Sequence, residues 1–188
     1  MNKIVALFGK SASGKDTIQN YMCKNYKNTH KIISYTTRPP RTNEVNGKDY
    51  FFISQNDFYD KFFDNKMLET TEFNNWLYGT SIDQLRYGKI NIGVFNIQGV
   101  YSLLDKQTST LKNYEIIPIL VHCSDKTRLL RSLTRDGNSC SEICRRFLAD
   151  EEDFKMIPFE YQIINNDNDV DIKEVCGRIA GIANLYNY

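Results

Sequence analysis

Apolar residues recur along this chain in two alternating patterns. Five short runs are almost continuously hydrophobic: residues 3–8 (KIVALF), 31–35 (KIISY), 90–97 (INIGVFNI), 115–123 (EIIPILVHC) and 161–165 (YQIIN). Their length and Ile/Val content predict strands buried on both faces, as in a parallel sheet. Five other segments space their apolar residues at three and four and predict helices over 15–25, 99–106, 125–136, 141–154 and 171–186. Asp125 and Ser141 stand where N-caps are expected. Strands and helices alternating in this way define an α/β domain whose central parallel sheet is flanked by helices.

Residues 36–80 break the alternation. TTRPPRTNEVNGKDYFFIS and TTEFNNWLYGT are dense in aromatic residues, turn formers and threonine. The Pro39-Pro40 pair forbids a helix, and VNGKDYFFI predicts a hairpin that turns at Asn46-Gly47. The block reads as a small, partly β insertion on the sheet.

Composition narrows the class. At 188 residues, 25% charged and 41% apolar, the chain suits one globular domain with a full core. A formal net charge of +1 gives no reason to expect a nucleic-acid polymer or an anionic membrane as partner, so any bound anion needs a local cluster. The five cysteines are odd in number and scattered. Cys140 and Cys144 are four apart without a paired Cys-x-x-Cys, which argues against zinc and for reduced thiols. The first apolar run is too short for a signal peptide and no stretch is long enough to span a membrane. The expectation is a soluble, cytoplasmic protein, monomeric or homodimeric.

Gly9 to Lys15 satisfies G-x-x-x-x-G-K, follows a predicted strand and opens a predicted helix. In that context the loop of Gly9, Lys10, Ser11, Ala12, Ser13 and Gly14 surrounds phosphate oxygens with its backbone N–H groups and the helix N-terminus, and Lys15 adds a positive charge. A nucleoside triphosphate is the expected ligand. The next position, where a magnesium-binding hydroxyl is expected, holds Asp16, followed by Thr17. Further on, Arg38 and Arg41 flank the rigid Pro-Pro pair, and two guanidinium forks held that way can grip one phosphate monoester. Taken alone, such a pair also reads as a solvated turn. Tyr50 and Tyr78 offer hydroxyl donors for phosphate, and Glu69 an acceptor for a base edge.

Together these segments resemble guanylate kinases, through nearly the whole chain. FGKSASGKDT is similar to the family's phosphate loop, SYTTRPPRTNEVNGKDYFFIS to its GMP-phosphate segment and LETTEFNNWLYGTS to its guanine-binding segment. RSLTRDGNSCSEICRRF is similar to its lid and FEYQIINND to the strand and loop near the ATP base. The resemblance implies a P-loop kinase core at 1–35 and 81–188, a helical lid at about 125–150, and a mixed α/β GMP-binding insertion at 36–80. It implies magnesium-dependent transfer of phosphate from ATP to GMP or dGMP. Arg38, Arg41, Tyr50 and Tyr78 would hold the GMP phosphate, while Ser34, Glu69 and Thr80 would read guanine. Lys15 and the lid arginines Arg131, Arg135 and Arg146 would neutralise the ATP phosphates, with Asn165 near the adenine.

The chain departs from the family pattern at two places. Lys10, Ala12 and Asp16 replace proline, glycine and serine in the loop, and Ala12 would be strained if its position needs a positive φ. Val94 and Asn96 replace the two aspartates of LDIDxQG. Asn96 still offers a carbonyl oxygen to the guanine amino group. Val94 cannot supply the lost carboxylate near the magnesium, and Asp16 is expected to supply one instead. GKD and Asn96 also resemble ribose 1,5-bisphosphate kinases, whereas RTNEVNGKDYFF, Glu69 and YGTS keep the GMP-binding pattern. A third reading is a catalytically inactive guanylate-kinase-like module that binds a phosphorylated or acidic peptide through the same arginines.

Overall fold

The structure is a computed structural model and describes residues 2–134, 139–155, 160–165 and 171–185. Its central sheet has five strands: β1 (Asn2–Phe8), β2 (Thr29–Lys31), β7 (Ile90–Val94), β8 (Tyr114–His122) and β9 (Tyr161–Ile164). They run in the order β2-β7-β1-β8-β9 and all pairings are parallel. β1 is central, with every residue buried, which is why KIVALF carries no polar alternation. Val5 and Leu7 face one layer of the core, with Ile18 and Met22 of helix α1 (Lys15–Asn25) and Val175, Cys176 and Ile179 of α6 (Ile172–Ile182). Ile4, Ala6 and Phe8 face the other, with Ile97, Val100 and Leu103 of α3 (Ile97–Lys106). The expected α/β class with a parallel sheet between helices is what forms.

The second sheet runs β4-β3-β6-β5, built from β3 (Tyr35–Thr36), β4 (Phe51–Phe52), β5 (Met67–Phe73) and β6 (Trp76–Ser81). β5 and β6 form an antiparallel hairpin whose tip, Asn74-Asn75, has both residues at positive φ (50° and 61°). That is the two-residue turn whose twist matches paired strands, and asparagine tolerates it. Helix α2 (Gln55–Phe63) opens on a capping box between Ser54 and Asp57 and buries Phe58 against this sheet.

Several sequence expectations are corrected. The predicted strand 31–35 splits, because the chain leaves the central sheet after Lys31 and joins the second at Tyr35. The turn at Asn46-Gly47 exists but makes no hairpin. The Phe51 and Ile53 N–H groups donate to Ser34 and Thr36 carbonyls, so β4 runs parallel to β3. The strand predicted to 97 ends at Val94, because the Asn96 side chain accepts from the Gly99 N–H and starts α3. Helix α4 (Asp125–Thr134) begins at Asp125, and it is the Ser124 hydroxyl that accepts from the Thr127 N–H. Helix α5 (Cys140–Asp153) is capped by Ser139 rather than Ser141, since Ser139 accepts from the Glu142 N–H. Among the described residues no helix is long and apolar enough to cross a membrane.

Candidate active site

The loop between β1 and α1 lies at the carboxyl ends of the parallel strands, where such sheets bind ligands. Its backbone is demanding. Gly9 (φ 147°) passes so close to β8 that a Cβ there would sit 2.4 Å from the Val121 carbonyl oxygen. Gly14 (φ 95°) packs against Asn165, whose Nδ2 would lie 2.3 Å from an added Cβ. Ala12 has φ 59°, so the position does need left-handed backbone and the alanine is strained there, by about 1–2 kcal/mol. Lys15 Nζ donates to the Gly9 and Lys10 carbonyls (2.8 and 3.0 Å) and lies 3.4 Å from Ser13 Oγ, inside the curve of the loop.

The loop's outer side is held by distant residues. Arg131 on α4 donates to the Ala12 carbonyl at 3.3 Å and to the Asn165 carbonyl at 3.3 Å. Asn165 is buried and donates through Nδ2 to the Ser13 carbonyl at 2.8 Å. Lys10 pairs with Glu151 on α5. Thr17 and Asp16 are exposed on the first turn of α1.

Beside the loop opens a cavity of about 330 Å³, lined by Asp16, Ser34, Arg38, Arg41, Tyr50, Tyr78, Val94 and Arg146 among others. Residues far apart in the chain thus share one wall. Arg38 is fixed by Nη2, which donates to both Glu44 carboxylate oxygens (2.8 and 2.9 Å), and lies 5.7 Å from the Tyr50 and Phe52 ring centres. Glu44 also accepts the Arg41 N–H at 2.8 Å. Glu44 is a site residue that the sequence pattern did not single out. The signal was its place three residues beyond Arg41, where a turn returns the chain. Burial pushes the Tyr50 hydroxyl up to about 12, with Asp16 and Tyr78 adding to the effect and Arg38 opposing it, so Tyr50 stays a donor.

Glu69 sits next to a β-bulge in β5, where the register shifts between Met67 and Glu69. The bulge lets Met67 and Leu68 both enter cores and turns Glu69 toward the N-terminus of α3, where Oε2 lies 3.3 Å from the Cβ position of Gly99. Desolvation raises the Glu69 carboxyl from its ordinary 4.5 to about 7, against the Thr80 hydroxyl and N–H and the Lys106 charge. The Thr80 hydroxyl is also 2.9 Å from Ser34 Oγ, so Ser34, Thr80 and Glu69 form one polar strip. Asn96 spends its carbonyl oxygen on Gly99 N–H and its amide N–H on Thr71 Oγ1 at 2.7 Å.

Of the lid arginines, Arg146 lines the cavity and pairs with Glu142 at 2.7 Å, Arg131 overlies the loop, and Arg135 lies outside the described residues. Glu142 also holds Arg145, and these two arginines, Arg145 first, bring its carboxyl down to about 2. Arg145 in turn lies 4.3 Å over the Phe73 ring, joining α5 to the tip of the β5–β6 hairpin.

A parallel sheet whose first strand feeds a glycine-rich loop, next to an arginine-lined cavity, defines a P-loop nucleotide-binding protein. The guanylate kinase family model matches residues 1–180. The chain is 30% identical over 177 residues to the guanylate kinase of Wolbachia sp. subsp. Brugia malayi, covering 92% of this chain and 89% of that protein. It is 29% identical over 184 residues to the Bacillus subtilis guanylate kinase, covering 95% and 86%. The crystal structure of guanylate kinase from Anaplasma phagocytophilum superimposes with a TM-score of 0.67 at 22% identity, over 97% of this chain and 85% of that one. The chain belongs to the guanylate kinase family, a family of phosphotransferases.

Proposed function

We propose that this protein transfers the γ-phosphoryl group of ATP to GMP or dGMP, giving ADP and GDP or dGDP, in the cytoplasm. The observation that carries the reading is the cavity in which Arg38, Arg41, Tyr50, Tyr78 and Arg146 converge beside Asp16 on the first turn of α1. Such a cluster suits an acceptor phosphate facing a triphosphate held by the loop. The polar strip of Ser34, Thr80 and Glu69 suits guanine, whose N1 and N2 donors need an acceptor, while adenine has no donor at N1. A ribose bisphosphate offers that strip no base edge to pair with, which disfavours the ribose 1,5-bisphosphate kinase reading.

Phosphoryl transfer asks the protein mainly for alignment and charge neutralisation. Arg38, Arg41 and the two tyrosines would fix the acceptor, and Lys15 and Arg146 would spread charge on the transferring group, while Arg131 holds the outer side of the loop through the Ala12 carbonyl. No general base is required, because a phosphate monoester already presents an oxyanion. The Arg145–Phe73 contact between α5 and the hairpin tip is suited to keeping water out. Incubation with ATP, magnesium and GMP should yield ADP and GDP in equal amounts. ADP formed without GDP would remove this reading.

Asp16 fits a magnesium site by its chemistry. It is a carboxylate on the first turn after the loop and lines the cavity wall with Val94, while Glu44 is committed to Arg38 and Asp49 to the Val45 N–H. Among the described residues no group of three metal-binding side chains exists, and magnesium, which keeps waters and takes phosphate oxygens, needs no more than one carboxylate. Asp16 would hold the ion, which when bound neutralises phosphate charge. Asp16→Asn should therefore raise the magnesium concentration needed for half-maximal rate by about tenfold, one lost charge-assisted contact, with thermal stability unchanged. A magnesium titration superimposable on the wild type would leave Asp16 as a helix-dipole partner only.

A further inference from the structure

Arg128 on α4 has no exposed surface and is the bulkiest fully buried side chain among the described residues. It must satisfy its donors internally. Nε donates to the Ser11 carbonyl at 2.9 Å, the two terminal nitrogens pair with Asp125 and Asp150, and the guanidinium lies 4.3 Å over the Phe147 ring. Asp150 on α5 accepts the Ser11 N–H at 2.9 Å and lies 3.5 Å from the Ser11 hydroxyl. Both backbone groups of one loop residue are thus gripped by one buried ion pair. Neither Arg128 nor Asp150 lines the acceptor cavity.

The grip has a directional consequence. The N–H and C=O of one peptide unit point opposite ways. With the Ser11, Ala12 and Ser13 carbonyls drawn outward by Arg128, Arg131 and Asn165, the N–H groups of Ala12, Ser13 and Gly14 turn inward. The peptide before Ser11 is reversed: its N–H points out to Asp150, so the Lys10 carbonyl points in, where it meets Lys15 Nζ and the Ser13 N–H. This alternation aims donors at the interior of the loop and holds Ala12 in its left-handed conformation.

We propose that Arg128 and Asp150 are positioning residues for the donor site, fixing the Ser11 peptide so that the loop's N–H groups face the triphosphate. The proposal rests on the loop being the ATP site. A purely structural ion pair predicts something different, because replacing a buried pair with apolar residues of similar volume is often neutral or stabilising. Arg128→Met with Asp150→Leu removes both charges together. The double variant should unfold cooperatively at or above the wild-type midpoint. Its dissociation constant for ATP, measured by calorimetry, and its KM for ATP should both rise about tenfold, or about 1.4 kcal/mol, while KM for GMP stays unchanged. Asp150→Asn, which keeps shape but not charge, should weaken ATP binding several-fold without unfolding the protein, and decides the matter should the double variant fail to fold. Wild-type ATP affinity in a folded double variant, or in Asp150→Asn, overturns the proposal. A wild-type protein that binds ATP but leaves GMP unphosphorylated removes the functional reading and leaves the comparison of ATP affinities intact. A wild type that binds no ATP overturns both.

Discussion

Replacing Glu69 with glutamine should lower kcat/KM for GMP by roughly ten- to a hundredfold, since charge-assisted pairs to a base edge are worth about 1.5–3 kcal/mol. It should also narrow the preference for GMP over AMP. The same change should make the protein more stable. Glu69 is half-buried beside a bulge, and desolvation lifts its carboxyl from 4.5 to about 7. Between those values the folded state holds a proton that the unfolded state has lost, so the cost of burying this group grows as pH rises and is complete above about 7. The gain in melting temperature for Glu69→Gln should therefore be larger at pH 8 than at pH 5, as thermal scans at the two values would reveal. In the wild type, KM for GMP should climb as pH falls below about 7, because a protonated Glu69 accepts less well from the N1 and N2 donors. A pH-independent KM for GMP would remove Glu69 from base recognition.

Lys15→Ala should cost roughly a hundred- to a thousandfold in kcat, the scale for loss of one preorganised donor to a developing charge. Its Nζ already lies inside the loop, anchored by the Gly9 and Lys10 carbonyls, so little reorganisation separates it from phosphate. Arg41→Ala gives the contrasting result: KM for GMP rises while KM for ATP is preserved, because its proposed partner is the acceptor phosphate. Steady-state kinetics with each substrate varied separately checks both. An Arg41 variant impaired only toward ATP would reverse the assignment of the two sites.

How much of this was legible in the sequence depends on whether the signal was local. The strands of the central sheet read correctly where both faces are buried, as in β1, because a short uninterrupted apolar run leaves no face for water. Residues 31–35 misled for the same reason: Ile32, Ile33 and Ser34 bridge two sheets, and nothing local marks the crossing. Helix α2 escaped the periodicity reading, although its Ser54-x-x-Asp57 cap was visible in the sequence. The residues of the cavity were legible as types in a familiar arrangement. What holds them was not, since Glu44 acts on Arg38 by turn geometry and Ser34, just before β3, meets Thr80 of β6. Arg128 and Asp150 were the least legible. On a helix a charged residue is ordinarily read as solvent-facing, and only the packing of α4 and α5 against the loop reveals that these two are buried together.

The central claim is the identity of the acceptor, and initial rates of ATP-dependent ADP release over GMP, dGMP, AMP, CMP, UMP and ribose 1,5-bisphosphate test it most directly. The account predicts that GMP and dGMP turn over far faster than every other acceptor and that product analysis finds GDP or dGDP. Rates on AMP equal to those on GMP, or a preference for ribose 1,5-bisphosphate, would contradict it.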